Sequence, residues 1–160
     1  MIKIIGVGNL LFGDEGFGVW FVQKYEKEFK EKYGNRIDLI DAGTTTLPVV
    51  NEIGKVNHLF IIDAINPNKK EYSPGQIIEF EKEAVFKGTK SKIKVTAHSG
   101  GVQEILATME LMNNLPEHIE LIAVVPQSID TGMILSPIIS EKLSIVKDIM
   151  IKKIDAIINN

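Results

Sequence analysis

Five short runs rich in Ile and Val set the strongest limit on what this chain can fold into. They cover residues 2–7, 37–41, 58–64, 76–80 and 119–125. Most are apolar on both faces, which suits strands covered from both sides in a largely parallel sheet. Helical patterns separate them. Phe17, Phe21, Tyr25, Phe29 and Tyr33 recur every fourth residue, with Trp20 beside them. That spacing predicts a helix over about 15–33 packed on the sheet. Thr46 as a cap and Pro48 in the first turn open a second helix over 47–55. A third covers 100–113, with Val102, Ile105, Leu106, Met109 and Met112 on one side. Ser136-Pro137 opens the last, whose apolar face holds Ile139, Leu143, Val146, Met150, Ile154 and Ile157.

Such alternation predicts an α/β fold: a three-layer α/β/α sandwich on about five mostly parallel strands. One link is too short for a parallel crossover. Between Ala64 and Gln76, Pro67, Pro74 and Gly75 leave no room for a helix. The strand at 76–80 is therefore expected to be antiparallel and near an edge. The segment 81–94, with Lys82, Lys87, Lys90, Lys92 and Lys94 around Gly88, reads as a solvated, mobile loop. A length of 160 residues fits one domain over 1–160.

Composition narrows the function classes. With 44% apolar and 24% charged residues, wholesale disorder is excluded. A net charge of −3 argues against a nucleic-acid partner. The absence of cysteine removes disulfides, iron–sulfur clusters, thiolate metal sites and a Cys nucleophile. Any metal site must then use carboxylates, imidazoles and carbonyls. No apolar run approaches the roughly 18 residues of a membrane span. The first residues lack a signal-peptide pattern. The expectation is a soluble, cytoplasmic protein without membrane insertion.

Ligands in open α/β sheets bind beyond the carboxyl ends of the strands, and three of those ends carry carboxylates. The first strand runs into a loop with glycines at 6, 8, 13, 16 and 18, which let a backbone turn tightly and approach a partner closely. Asp14 and Glu15 follow within it. Asp14 reads as a helix N-cap; Glu15 reads either as a first-turn charge or as a ligand. Asp63 follows the apolar run 59–62, where an unpaired carboxylate is costly to bury. Asp41 closes the second strand before Gly43-Thr44. His98 precedes the third helix. His58 opens a strand at the opposite edge and His118 follows Pro116 in a loop, so both read as structural or solvated.

Two carboxylates and an imidazole at one edge suit Ni, Zn, Mn or Fe, with positions left open for water or substrate. Two rival chemistries fit poorly. A dinucleotide fingerprint would need glycine where Leu11 stands, and Asp41 lies too far along. A serine hydrolase built on Ala97-His98-Ser99-Gly100-Gly101 would need a late histidine, and His118 comes too soon. A non-enzymatic nickel-binding or metal-sensing accessory protein using the same three side chains stays open as the alternative.

The pattern Gly6-x-Gly8-Asn9-x-Leu11-x-x-Asp14-Glu15-Gly16-x-Gly18 resembles the signature of the hydrogenase maturation endopeptidases. These process the large subunit of nickel–iron hydrogenases. Asp41-Ala42-Gly43-Thr44, Ile62-Asp63-Ala64, Ala97-His98, Pro126-Gln127-Ser128 and Leu135-Ser136-Pro137 resemble later family segments in the family's order. Asp41-Ala42-Gly43 varies one residue within its turn. Asp41, from its place at a strand end, reads as a candidate general base or, preferably, as a holder of the glycine-rich loop. The resemblance implies that Glu15, Asp63 and His98 are the metal-binding trio. It implies a nickel-loaded large-subunit precursor as substrate and removal of its C-terminal extension. It also implies no resident cofactor, the nickel being carried by the substrate.

Overall fold

The computed structural model describes residues 1–65, 71–90 and 100–159. Five strands are present: β1 (Ile2–Val7), β2 (Ile37–Gly43), β3 (His58–Ala64), β4 (Ile77–Glu81) and β5 (His118–Val124). They form one sheet in the order β2-β1-β3-β5-β4. All neighbours are parallel except β4, which runs antiparallel to β5 at the edge. The short link after Ala64 thus has the outcome its length requires. β2 runs two residues further than the pattern suggested, while β4 and β5 are each displaced by one.

The helices are α1 (Phe17–Tyr33), α2 (Leu47–Ile53), α3 (Lys82–Lys90), α4 (Gly100–Leu111), α5 (Pro137–Ser140) and α6 (Lys142–Ile158). Side chains alternate across the sheet. Ile4, Phe60, Ile62, Ile122 and Val124 face one layer, with Phe17, Phe21 and Phe29 of α1 and Val146, Met150 and Ile154 of α6. Ile5, Val7, Leu59, Ile61 and Leu121 face the other, with Val49, Val50 and Ile53 of α2 and Ile105, Leu106 and Met109 of α4. This is the α/β/α sandwich. Within α1 the Phe21 ring meets Tyr25 and Phe29 edge-on, at centroid separations of 5.2 and 6.1 Å. Each such pair contributes about 0.5–1.5 kcal/mol beyond its burial.

Several expectations need correction. The lysine-dense segment is a helix, α3, over Lys82–Lys90 rather than a loop. Val85 and Phe86 pack against the second core layer, and their burial organises residues whose lysines alone suggested a solvated loop. Residues 91–94 of that segment lie outside the described ones. The last helix is divided into α5 and α6, and Ile157 is only partly buried. Met112 falls beyond the end of α4 and is 43% exposed. Thr46 makes no side-chain cap to α2. Its Oγ1 donates instead to Glu104 Oε2 at 3.1 Å and ties α2 to α4. His118 opens β5 rather than lying in a loop, and its ring stacks on His58 at 4.5 Å between centroids.

The strand order places a winding reversal between β1 and β3. The chain leaves β1 for β2 on one side, then crosses to β3 on the other. Adjacent connections therefore diverge above the carboxyl ends of β1 and β3. That opens the crevice in which doubly wound folds bind ligands.

Candidate functional site

The crevice is built by close backbone approaches that only glycine permits. A Cβ on Gly6 would collide with the Gly18 carbonyl, and one on Gly18 with the Ile62 carbonyl. α1 therefore begins directly on the ends of β1 and β3. Gly8 has a φ of +143°, and a Cβ there would overlap the Glu15 carbonyl. These contacts hold the 3-10 turn Gly13–Gly16 over the crevice, with Glu15 half-buried in it.

Asp63 is the next-to-last residue of β3, one beyond Ile62, which pairs with Gly6. The residue is 4% exposed. Oδ1 accepts the Ala64 N–H at 2.8 Å. Oδ2 is buried and has no hydrogen-bond partner among the described residues. Burial pushes this carboxyl from 3.8 up to about 8; the Ala64 N–H opposes the rise and the Glu15 carboxylate adds to it. A buried oxygen without a donor is costly unless a proton or a cation meets it. A cation would favour the ionised form and reverse the rise.

Asp14 is not a helix cap. It is fully buried, and its carboxylate reaches across the molecule. Oδ2 accepts from the Gln127 and Ser128 N–H groups, each at 2.9 Å, and from Ser136 Oγ at 2.6 Å. Oδ1 accepts from the Ser136 N–H at 2.7 Å. Asp14 thus pins the glycine-rich loop to the segment that leads into α5. Sequence reasoning singled out Asp14 and Ser136 separately but not their bond.

Asp41 is exposed two residues before the end of β2, opposite Gly6. Its Oδ1 accepts the Gly43 N–H at 3.0 Å and its Oδ2 accepts from Gln23 Nε2 at 2.9 Å. The Gly43 carbonyl in turn accepts the Gly8 N–H at 3.0 Å. The geometry joins Asp41 to the glycine-rich loop through the turn it closes.

The structure therefore brings Glu15 and Asp63 together at the crevice, with Asp41 at its margin. His98 lies outside the described residues. Among the described residues no three His, Asp or Glu side chains converge on a metal position. Gly101, at the start of α4, lies against Val7 at the carboxyl end of β1: a Cβ there would stand 2.9 Å from the Val7 side chain. Among the described residues no helix is long and apolar enough to cross a membrane.

Comparison with known proteins points to one family. The chain is 33% identical over 146 residues to the hydrogenase expression/formation protein HupD of Thiocapsa roseopersicina, covering 89% of this chain and 62% of that protein. It is 28% identical over 139 residues to the hydrogenase 2 maturation protease of Escherichia coli, covering 85% and 79%. The chain thus spans about three fifths of the length of the HupD relative. Among solved structures, the [NiFe] hydrogenase maturation protease HybD of Thermococcus kodakarensis superposes with a TM-score of 0.74 at 28% identity, over 94% of this chain and 97% of that one. The family model described as hydrogenase maturation protease, HycI, matches residues 19–153. Asp41, Asp63 and His98 fall inside that match, and Glu15 precedes it. With a sheet edge of this architecture and a family model matched over most of its length, the chain belongs to the hydrogenase maturation protease family.

Proposed function

We propose that this protein is the endopeptidase that removes the C-terminal extension from a nickel-loaded large-subunit precursor of a nickel–iron hydrogenase. The observation that carries the proposal is the buried Asp63 carboxyl beside Glu15. One of its oxygens has no partner among the described residues, at the crevice between β1 and β3. Glu15, Asp63 and His98 supply oxygen and nitrogen ligands, a donor set suited to nickel. The nickel arrives with the substrate, and no cofactor is resident. A precursor without nickel lacks the bridge to these side chains and docks weakly, so nickel insertion becomes a checkpoint.

Docking places the scissile peptide at the crevice. Water then adds to its carbonyl carbon, the C–N bond breaks, and the leaving amine takes up a proton. Substrate nickel can polarise the carbonyl or acidify the attacking water. A carboxylate outside the ligand set can also serve as general base. We assign Asp41 to holding the glycine-rich loop, because both its oxygens already accept hydrogen bonds.

Three single variants test the assignment: Glu15→Gln, Asp63→Asn and His98→Ala. Each is expected to lower cleavage of nickel-loaded precursor by at least about a hundredfold while retaining the wild-type circular dichroism spectrum. A variant that cuts at the wild-type rate removes that residue from the trio.

A further inference from the structure

The loop that carries Glu15 also carries Leu11 and Phe12, 56% and 40% exposed. It is clipped to a second segment. The Gly13 N–H donates to the Gly132 carbonyl at 2.7 Å, the Gly132 N–H to the Leu11 carbonyl at 2.8 Å, and the Asp14 N–H to the Ser128 carbonyl at 3.0 Å. That second segment exposes Ile129, Met133 and Ile134, at 42%, 53% and 82%. Two strands of backbone thus form one fixed ledge, anchored from beneath by the four hydrogen bonds to Asp14.

The ledge is almost without charge. Across residues 8–13 and 126–136 the only ionisable side chain is Asp130, whose Oδ2 accepts from Ser128 Oγ at 2.9 Å. In a chain with 24% charged residues, an exposed apolar surface this free of charge marks a contact site. Its position names the occupant. Glu15 follows Phe12 by three residues, and a 3-10 turn rises about 2 Å per residue. An extended polypeptide advances about 3.3 Å per residue. A chain whose peptide bond lies at Glu15 and Asp63 therefore reaches the ledge within about two or three residues.

We propose that Leu11, Phe12, Ile129, Met133 and Ile134 are the surface that selects the substrate, receiving an apolar, uncharged segment of the precursor that flanks the cut. This rests on the endopeptidase reading above. Because backbone hydrogen bonds already join the two segments of the ledge, docking has less of the enzyme to order, which lowers the entropic cost of binding. The side chains act on binding and lie outside the chemistry.

The test compares wild type, the double variant Met133→Ser/Ile134→Ser, and Leu111→Ser as a control. Leu111 is 85% exposed at the far end of α4. Binding of nickel-loaded precursor and its cleavage are measured separately, with mass determination by light scattering. The double variant should raise KM and the dissociation constant about tenfold or more, with kcat within about twofold. The control should match wild type. If wild type cuts and the double variant keeps its KM, the ledge proposal is overturned alone. If the double variant instead turns a dimeric wild type monomeric at unchanged KM, the ledge is a self-interface and the proposal is likewise overturned. If wild type binds without cutting and the double variant binds tenfold more weakly, the ledge stands and the endopeptidase reading falls. Wild type that neither binds nor cuts overturns both.

Discussion

The α-carbon of Gly18 rests against the Ile62 carbonyl, one residue before Asp63. That contact fixes the separation between the turn bearing Glu15 and the strand bearing Asp63. Gly18→Ala would drive a methyl group into the carbonyls of both Ile62 and Val7. Backbone cannot yield as a flexible side chain does, so the substitution should cost about 3 kcal/mol or more. A protein of this size would then melt about 6 °C or more below wild type. Gly34 provides the contrast, because a Cβ there meets nothing within 4 Å. Its φ of +59° and ψ of −139° lie in backbone space that favours glycine, so Gly34→Ala carries only that local strain, about 1–3 kcal/mol. Thermal melts of the two variants check the ranking; equal losses would contradict it.

Asp14→Asn tests the pin between the glycine-rich loop and the segment before α5. An amide has one acceptor oxygen where the carboxylate uses two, so it leaves buried donors among the Gln127, Ser128 and Ser136 groups unpaired. The loss should be about 2–4 kcal/mol. Chemical denaturation measures it, and a change under about 0.5 kcal/mol would show that the bonds contribute little.

Asp63 makes stability depend on pH, with a definite sign. In the folded protein the carboxyl holds its proton up to about 8, whereas its ordinary value is 3.8. Between those values the folded state binds the extra proton, so stability falls as pH rises from about 4 to 8 and levels off beyond. Asp63→Asn removes the dependence. It should raise the melting temperature by about 10 °C or more at pH 8 and change it little at pH 4. A gain equal at both pH values would contradict the burial argument.

Asp41 distinguishes a positioning role from proton transfer. Asparagine can still accept the Gly43 N–H through its remaining oxygen, so Asp41→Asn should cut nickel-loaded precursor within about threefold of wild type. Asp41→Ala loses the turn and should fall about tenfold or more. Equal losses of about a hundredfold or greater in both variants would point to a general base. Initial-rate assays decide between the two patterns.

How much of this could be read beforehand follows from the range of each interaction. β1 and β3 were legible because two-faced apolar runs report their own burial. The antiparallel edge strand followed from Pro67, Pro74 and Gly75 in a link too short to cross over. The nearness of Glu15 to Asp63 was legible as two carboxylates beyond strand ends that the winding brings to one edge. The role of Asp14 was not, since its partners lie 113 to 122 residues further along. α3 was missed because lysine density hid Val85 and Phe86, whose packing depends on core residues distant in the chain. The stacking of His58 on His118 is of the same kind: parallel register between β3 and β5 creates it.

The central claim is that substrate nickel is what Glu15, Asp63 and His98 recognise. The most direct measurement is the mass of a hydrogenase large-subunit precursor after incubation with this protein, once loaded with nickel and once without. The account predicts a single C-terminal cut in the loaded sample and an intact chain in the empty one. Equal cutting of both would keep a protease and contradict recognition through nickel.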